Sequence, residues 1–246
     1  MEQNDILLAH LDDLAEKAKK TGCTASRFLT PAEMNNAVSH FARRFDIKLI
    51  FDGGYEGAEH NRAILLNASW GEYKREDMFR VFKISIPKQE ALGHRDILGA
   101  VMALGIERAA IGDITENPYA IICLPELCGY IAENLTKAGR ATISLSEMEL
   151  SELTARVDNL AFKTDTVASP RLDAILGTAF GLSRSKASEL IKSGHVIVNH
   201  EVCIQTSKEL HEGTVFSIRG FGRAKLMEIG GVSKKGRIFI KVGLYK

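Results

Sequence analysis

Residues 183–186 read Ser-Arg-Ser-Lys, and the positions after them turn apolar. Ser183 suits the N-cap of a helix over 183–193 that Gly194 ends. A helix start already carries partial positive charge, so cations placed there work against it. Arg184 and Lys186 make better sense if an anion sits at that end, held by unsatisfied N–H groups and charge-assisted donors, as in a phosphate cradle. Lys192 lies on the same helix, and Arg219, Arg223 and Lys225 follow within TVFSIRGFGRAKL (214–226). Together these cations are expected to line one rim; a merely solvated charged face is the bland alternative. In SPRLD, Ser169 is the expected N-cap of the preceding helix, and Arg171 with Asp173 reads as an intramolecular pair near the rim. Asn199, in the turn NHE, suits left-handed backbone and is equally a candidate ligand contact.

Other constellations carry less. His94-Arg95-Asp96 resembles a kinase catalytic loop, but Val101 stands where the Asn should be, and neither DFG nor a phosphate-covering glycine loop accompanies it. These residues are expected to cap and polarise a helix start, with His94 and Arg95 as a candidate second contact. GGYEG (53–57) matches neither GxGxxG nor a Walker loop, so a turn suffices. Cys23, Cys123, Cys128 and Cys203 lack metal-site spacing and read as buried reduced thiols of a reducing compartment. Trp70 and the phenylalanines are expected in the core. No catalytic residue and no cofactor or metal site is assigned.

The net charge of +1 hides a partition. Residues 171–246 hold 13 Lys and Arg against 6 Asp and Glu, and residues 1–170 hold 19 against 25. A basic C-terminal third on an acidic body suggests a polyanion-binding module on a scaffold. No apolar run approaches the roughly 18 residues of a membrane span, and the acidic N-terminus is unlike a signal peptide, so the cytoplasm is the expected location and no membrane partner is expected.

The elements that must position these side chains form an α+β protein. Residues 1–75 read as a small α/β unit: an amphipathic helix over 5–20, a second helix with Thr30 as N-cap, Pro31 and a Glu33 capping box, and strands at 47–51 and 62–67. Residues 76–150 show β-α-β-β-α-β order, the ferredoxin-like (RRM-like) pattern, with helices expected at 93–105 and 125–139. A connector over 151–169 includes the strand-like LAFKTDTVA, and residues 170–246 form the basic module of two short helices against a small sheet.

RLDAILGTAFGLSRSKASELIKSGHVIVNHEVCIQTSKELHEGTVFSI resembles the RNA-binding domain of the ribosomal protein S-four type, the alpha-L motif, through its order R-x-D, S-R-x-x-A and I-x-x-G-x-V-x-V-N. His200, where the turn usually has Gly or a small polar residue, and Thr214, where Asp is expected, depart from it and put turn stability in question. FDGGYEGAEHNRAIL (51–65), LGHRDILGAVMALGIERAAIGDI (92–114) and RGFGRAKL (219–226) extend the resemblance to the YlmH family over nearly the whole chain. That resemblance implies a non-enzymatic RNA binder that engages ribosomal RNA of the large subunit and takes no small-molecule substrate. It also implies a role in quality control of stalled nascent chains, with tRNA as a further candidate partner, and an older link to cell division. The middle block would be a second RNA-binding domain. The RNA-binding set is then Arg171, Ser183, Arg184, Lys186, Lys192, Asn199, Arg219, Arg223 and Lys225. The alternatives are an RNA-modifying enzyme, of pseudouridine synthase or methyltransferase type, that uses this domain for substrate binding, and an interaction protein whose basic third binds an acidic partner or a membrane.

Overall fold

A computed structural model describes residues 3–87, 92–155 and 159–245. The chain divides into two compact units, residues 1–156 and 157–246. The division falls at 156–158, inside the expected connector and outside the described residues.

The first unit opens with α1 (Gln3–Thr21), β1 (Cys23–Leu29), α2 (Pro31–Phe41), β2 (Ile47–Asp52) and β3 (Asn61–Asn67). Thr30 caps α2 reciprocally with Glu33, behind Pro31, as the capping-box spacing requires. The antiparallel sheet runs β1-β3-β2, and Leu11, Ala15, Ala37, Phe41 and Leu65 form its core with the helices. Strand β1 is not evident from CTASRFL, because Ser26 and Arg27 interrupt its apolar pattern. Ser26 is buried nonetheless, its hydroxyl accepting the Ala63 N–H at 2.9 Å.

The middle block contains α3 (Arg75–Met78), β4 (Arg80–Ser85), α4 (His94–Ala103), β5 (Ile111–Glu116), β6 (Tyr119–Cys123), α5 (Cys128–Asn134), the short pair β7 (Lys137–Ala138) and β8 (Ala141–Thr142), and β9 (Ser144–Glu147). Its four-stranded sheet is antiparallel throughout, in the order β5-β6-β4-β9. The helix expected over 125–139 is shorter: after Asn134 the chain turns back through Gly139, in left-handed backbone, to pair β7 with β8. Phe28 and Tyr55 of the first block are buried in the core of the middle block, so one continuous unit joins the two. Gly112 makes that approach possible, since a Cβ there would lie 2.6 Å from the Phe28 ring.

Two groups of expected core residues are placed otherwise. Trp70 is exposed, lying over the backbone of Gly22, and Phe45, Phe162, Phe221 and Phe239 are exposed as well. Cys123 and Cys203 are buried, whereas Cys23 and Cys128 are only partly so; all four are free thiols. Burial pushes the Cys123 thiol up to about 12.

The second unit comprises β10 (Leu160–Val167), α6 (Leu172–Phe180), α7 (Arg184–Lys192), β11 (Val196–Val198), β12 (Glu201–Val202), β13 (Val215–Ile218), β14 (Gly222–Val232) and β15 (Ile238–Tyr245). Its sheet is larger than expected: six strands, ordered β10-β15-β14-β13-β11-β12, with the connector strand β10 at one edge. Leu172, Ile175, Leu176, Ala187 and Ile191 of the helices pack on Val196, Phe216, Ala224, Leu226 and Val242 of the sheet. Lys246 is outside the described residues.

Candidate nucleic-acid interface

The α6–α7 pair is set by its caps. Gly181 ends α6 in left-handed backbone, and its N–H reaches the Gly177 carbonyl. Two residues on, Ser183 starts α7, its hydroxyl accepting the Lys186 N–H at 3.2 Å. The N-cap of α6 is Arg171, not Ser169, and the start of that helix is not open to an anion. The N–H groups of Leu172 and Asp173 are taken by the carbonyls of Lys208 and Thr206.

Asp173 is buried and gathers both nearby guanidinium groups. Arg171 donates to it through Nε and Nη2, each at 3.1 Å, which is the pair expected from R-L-D. Arg184, whose side chain is 62% exposed, donates through Nε at 3.3 Å. Lys186 meets both Glu189 oxygens at 3.0 Å. The expectation of cations waiting bare for an anion is therefore corrected: each of these three has a carboxylate partner. The partners differ in kind. One carboxylate against two guanidinium groups leaves an excess of positive charge, and a guanidinium has five donors, of which a bond at Nε uses one. Lys186–Glu189 is an exposed i,i+3 pair worth a few tenths of a kcal/mol, which an incoming phosphate can displace cheaply.

The other cations fall into separate places. Lys192 is exposed in the last turn of α7, about 12 Å along the axis from Arg184. Arg219, also exposed, sits near that end, since its N–H meets the carbonyl of His195. Arg223 and Lys225 do not join them. They alternate with Ala224 and Leu226, which are buried under the helices, so their side chains leave the sheet on its other face. The single rim expected from the sequence is two surfaces.

Asn199 and His200 form the two-residue turn between β11 and β12, with φ of 47° and 71°. The Asn199 side-chain oxygen Oδ1 accepts the Val215 N–H at 2.9 Å, so this side chain locks β13 to the turn. Thr214, in place of an Asp, closes its own turn by donating to the His211 carbonyl at 2.6 Å.

In the first unit, His94 and Arg95 are exposed at the start of α4, where Asp96 accepts the Gly93 N–H at 2.9 Å. Desolvation, with Arg108 adding to it, lowers the His94 pKa from its ordinary value, which favours a neutral ring at pH 7. Beside it lies a cluster the sequence does not reveal, its members separated by some fifty positions. Buried Asp113 accepts from the Tyr55 hydroxyl (2.8 Å), the Glu59 N–H (2.7 Å) and His60, whose Nδ1 is 2.8 Å away. Arg108 Nη2 lies 3.2 Å from both ring nitrogens of His60. Burial would raise the Asp113 carboxyl, but these donors outweigh it and bring it down to about 2.

Among the described residues no helix is long and apolar enough to cross a membrane. Residues 4–73 match the family described as "YlmH, N-terminal", residues 74–152 "Putative RNA-binding domain in YlmH", and residues 170–216 "S4 domain". The chain is 36% identical over 213 residues to "Ribosome-associated protein quality control protein P2" of Bacillus subtilis (strain 168), covering 85% of this chain and 82% of that one. A solved structure, "Cell division protein ylmH from Streptococcus pneumoniae", has the same fold at a TM-score of 0.50 and 23% identity, over 62% of this chain and 94% of that one. With three family matches in order and a relative this similar along most of its length, the chain belongs to the YlmH family and carries an S4 domain toward its C-terminus.

Proposed function

We propose that this protein is a non-enzymatic RNA binder that works on the ribosome, in rescue or quality control of stalled translation. The S4 match over 170–216 and the name of the Bacillus relative support that reading. The observation that carries it is the shared carboxylate of Asp173, which holds Arg171 and Arg184 beside the start of α7 with positive charge to spare. Two phosphates on a structured RNA would meet Arg184 and Lys186 at one end of α7, and Lys192 with Arg219 near the other. Contacts of this kind fix position, and the shape of the RNA supplies selectivity more than base edges do. Ribosomal RNA of the large subunit is the proposed main partner, and tRNA bound beside it the second. His94 and Arg95 are a proposed further contact, Arg95 as the cation.

The test is co-sedimentation with ribosomes in a sucrose gradient. The Arg184→Ala/Lys186→Ala double variant should leave the large-subunit fractions while keeping its melting temperature. Unchanged association would reject the assignment. Incubation with ribosomal and transfer RNA, with and without S-adenosylmethionine, should yield no modified nucleosides.

A further inference from the structure

The helices of the second unit cover one face of its sheet. Along β15, Ile240 and Val242 turn toward them, so Phe239, Lys241, Gly243 and Tyr245 turn the other way. Strand pairing extends this face sideways: Phe162 lies opposite Gly243, as does Lys225 on the other flank. Phe162 is 58% and Phe239 44% exposed. Two cations stand over rings here, Lys241 Nζ at 4.7 Å from the Phe162 centre and the Arg223 guanidinium at 4.7 Å from that of Tyr245. Lys234 and Lys235 are exposed in the adjoining β14–β15 turn, and Glu228 is the acid placed among them, opposite Lys241. Most of this surface lies outside the three family matches, which end at residues 73, 152 and 216.

We propose that this face is a stacking platform for single-stranded RNA, separate from the surface at the start of α7. Exposed rings on neighbouring strands, Phe162 on β10 and Phe239 four residues along on β15, offer flat apolar area to unpaired bases, and the cations beside them meet the backbone phosphates. Such a platform tolerates sequence, because every base has a π-face. A protein partner is the weaker fit: interface centres are depleted of Lys, whereas Lys241 stands directly over Phe162. The inference rests on the RNA-binding reading above but assigns a different ligand to a different side of the sheet.

The experiment compares two RNAs by fluorescence anisotropy on the full chain: an oligouridylate of about twelve nucleotides, which has no secondary structure, and a base-paired ribosomal RNA hairpin. Phe162→Ala/Phe239→Ala should weaken oligouridylate binding at least tenfold, since two base–ring stacks are lost, while hairpin affinity stays within about twofold. Phe162→Tyr/Phe239→Tyr, which keeps both rings, should bind like the unaltered chain. Arg184→Ala/Lys186→Ala should show the converse preference, losing the hairpin. Unchanged oligouridylate affinity in the Ala variant, with melting temperature preserved, overturns the platform and leaves the α7 reading standing. So does self-association of the chain that the Ala variant abolishes without changing RNA affinity. Failure of the unaltered chain to bind either RNA or ribosomes removes the RNA-binding reading itself.

Discussion

Arg184 and Asp173, eleven residues apart and on different helices, meet at 3.3 Å, and the same carboxylate also holds Arg171. Position and net charge can therefore be separated. Asp173→Asn makes the unit one charge more positive, which by itself should strengthen RNA binding. If the carboxylate matters by aiming both guanidinium groups, the variant should instead bind a structured RNA severalfold more weakly. It should also lose about 1–3 kcal/mol in urea unfolding, a figure reduced because Arg184 is largely exposed. Tighter binding by this variant would refute the aiming role.

Salt dependence reports how many phosphates are met. With about four to six phosphates neutralised, affinity should fall as roughly the third to fifth power of salt concentration. Each of Arg184→Ala, Lys186→Ala and Lys192→Ala should lower that exponent by about 1, measured from 50 to 200 mM salt. A substitution that weakens binding with the exponent unchanged is acting through the fold.

Asn199 is assigned here to the turn, and its substitution tests that. Asn199→Ala removes the acceptor for the Val215 N–H and puts Ala in left-handed backbone, at a combined cost of about 1–2 kcal/mol. Thermal unfolding should show the loss, while RNA affinity at a temperature where both proteins are folded should be unchanged. A selective loss of affinity would return Asn199 to the RNA-contacting set.

Asp113 sets an acid limit for the first unit. Its folded pKa of about 2 lies below the ordinary carboxylate value, so the deprotonated form is favoured by folding. The resulting stability, about 2 kcal/mol, is fully present above roughly pH 4 and is lost as pH falls through about 2. Asp113→Asn should be less stable at pH 7 and should show a shallower loss over that acid range, followed by circular dichroism.

Local signals in the sequence were legible where one residue type has a single use. Thr30 with Glu33, Ser183, Gly194 and the Asn199 turn are all found in the expected roles. The end of α5 was not, because nothing local distinguishes a helix running on to Gly139 from a chain that reverses there. Ser26 hid β1, since its burial depends on a hydrogen bond to Ala63 that exists only after β3 is in place. Among the site residues, the cations were identified by type, but two features were beyond reach. The convergence of Arg184 on Asp173 depends on how α6 meets α7. The separation of Arg223 and Lys225 from the other cations depends on which sheet face the helices choose, and alternation alone does not say.

The pairing of β10 with β15 has a consequence for how this protein is made. Leu160 lies opposite Tyr245, so the first and last strands of the second unit close upon each other across its whole length. During synthesis the α6–α7 pair emerges long before its sheet can be completed, because two interior strands, β14 and β15, arrive last. Contacts so distant along the chain form slowly. The module should therefore gain its cooperative stability, and with it any grip on RNA, only after Tyr245 has cleared the exit tunnel of the ribosome that is making it.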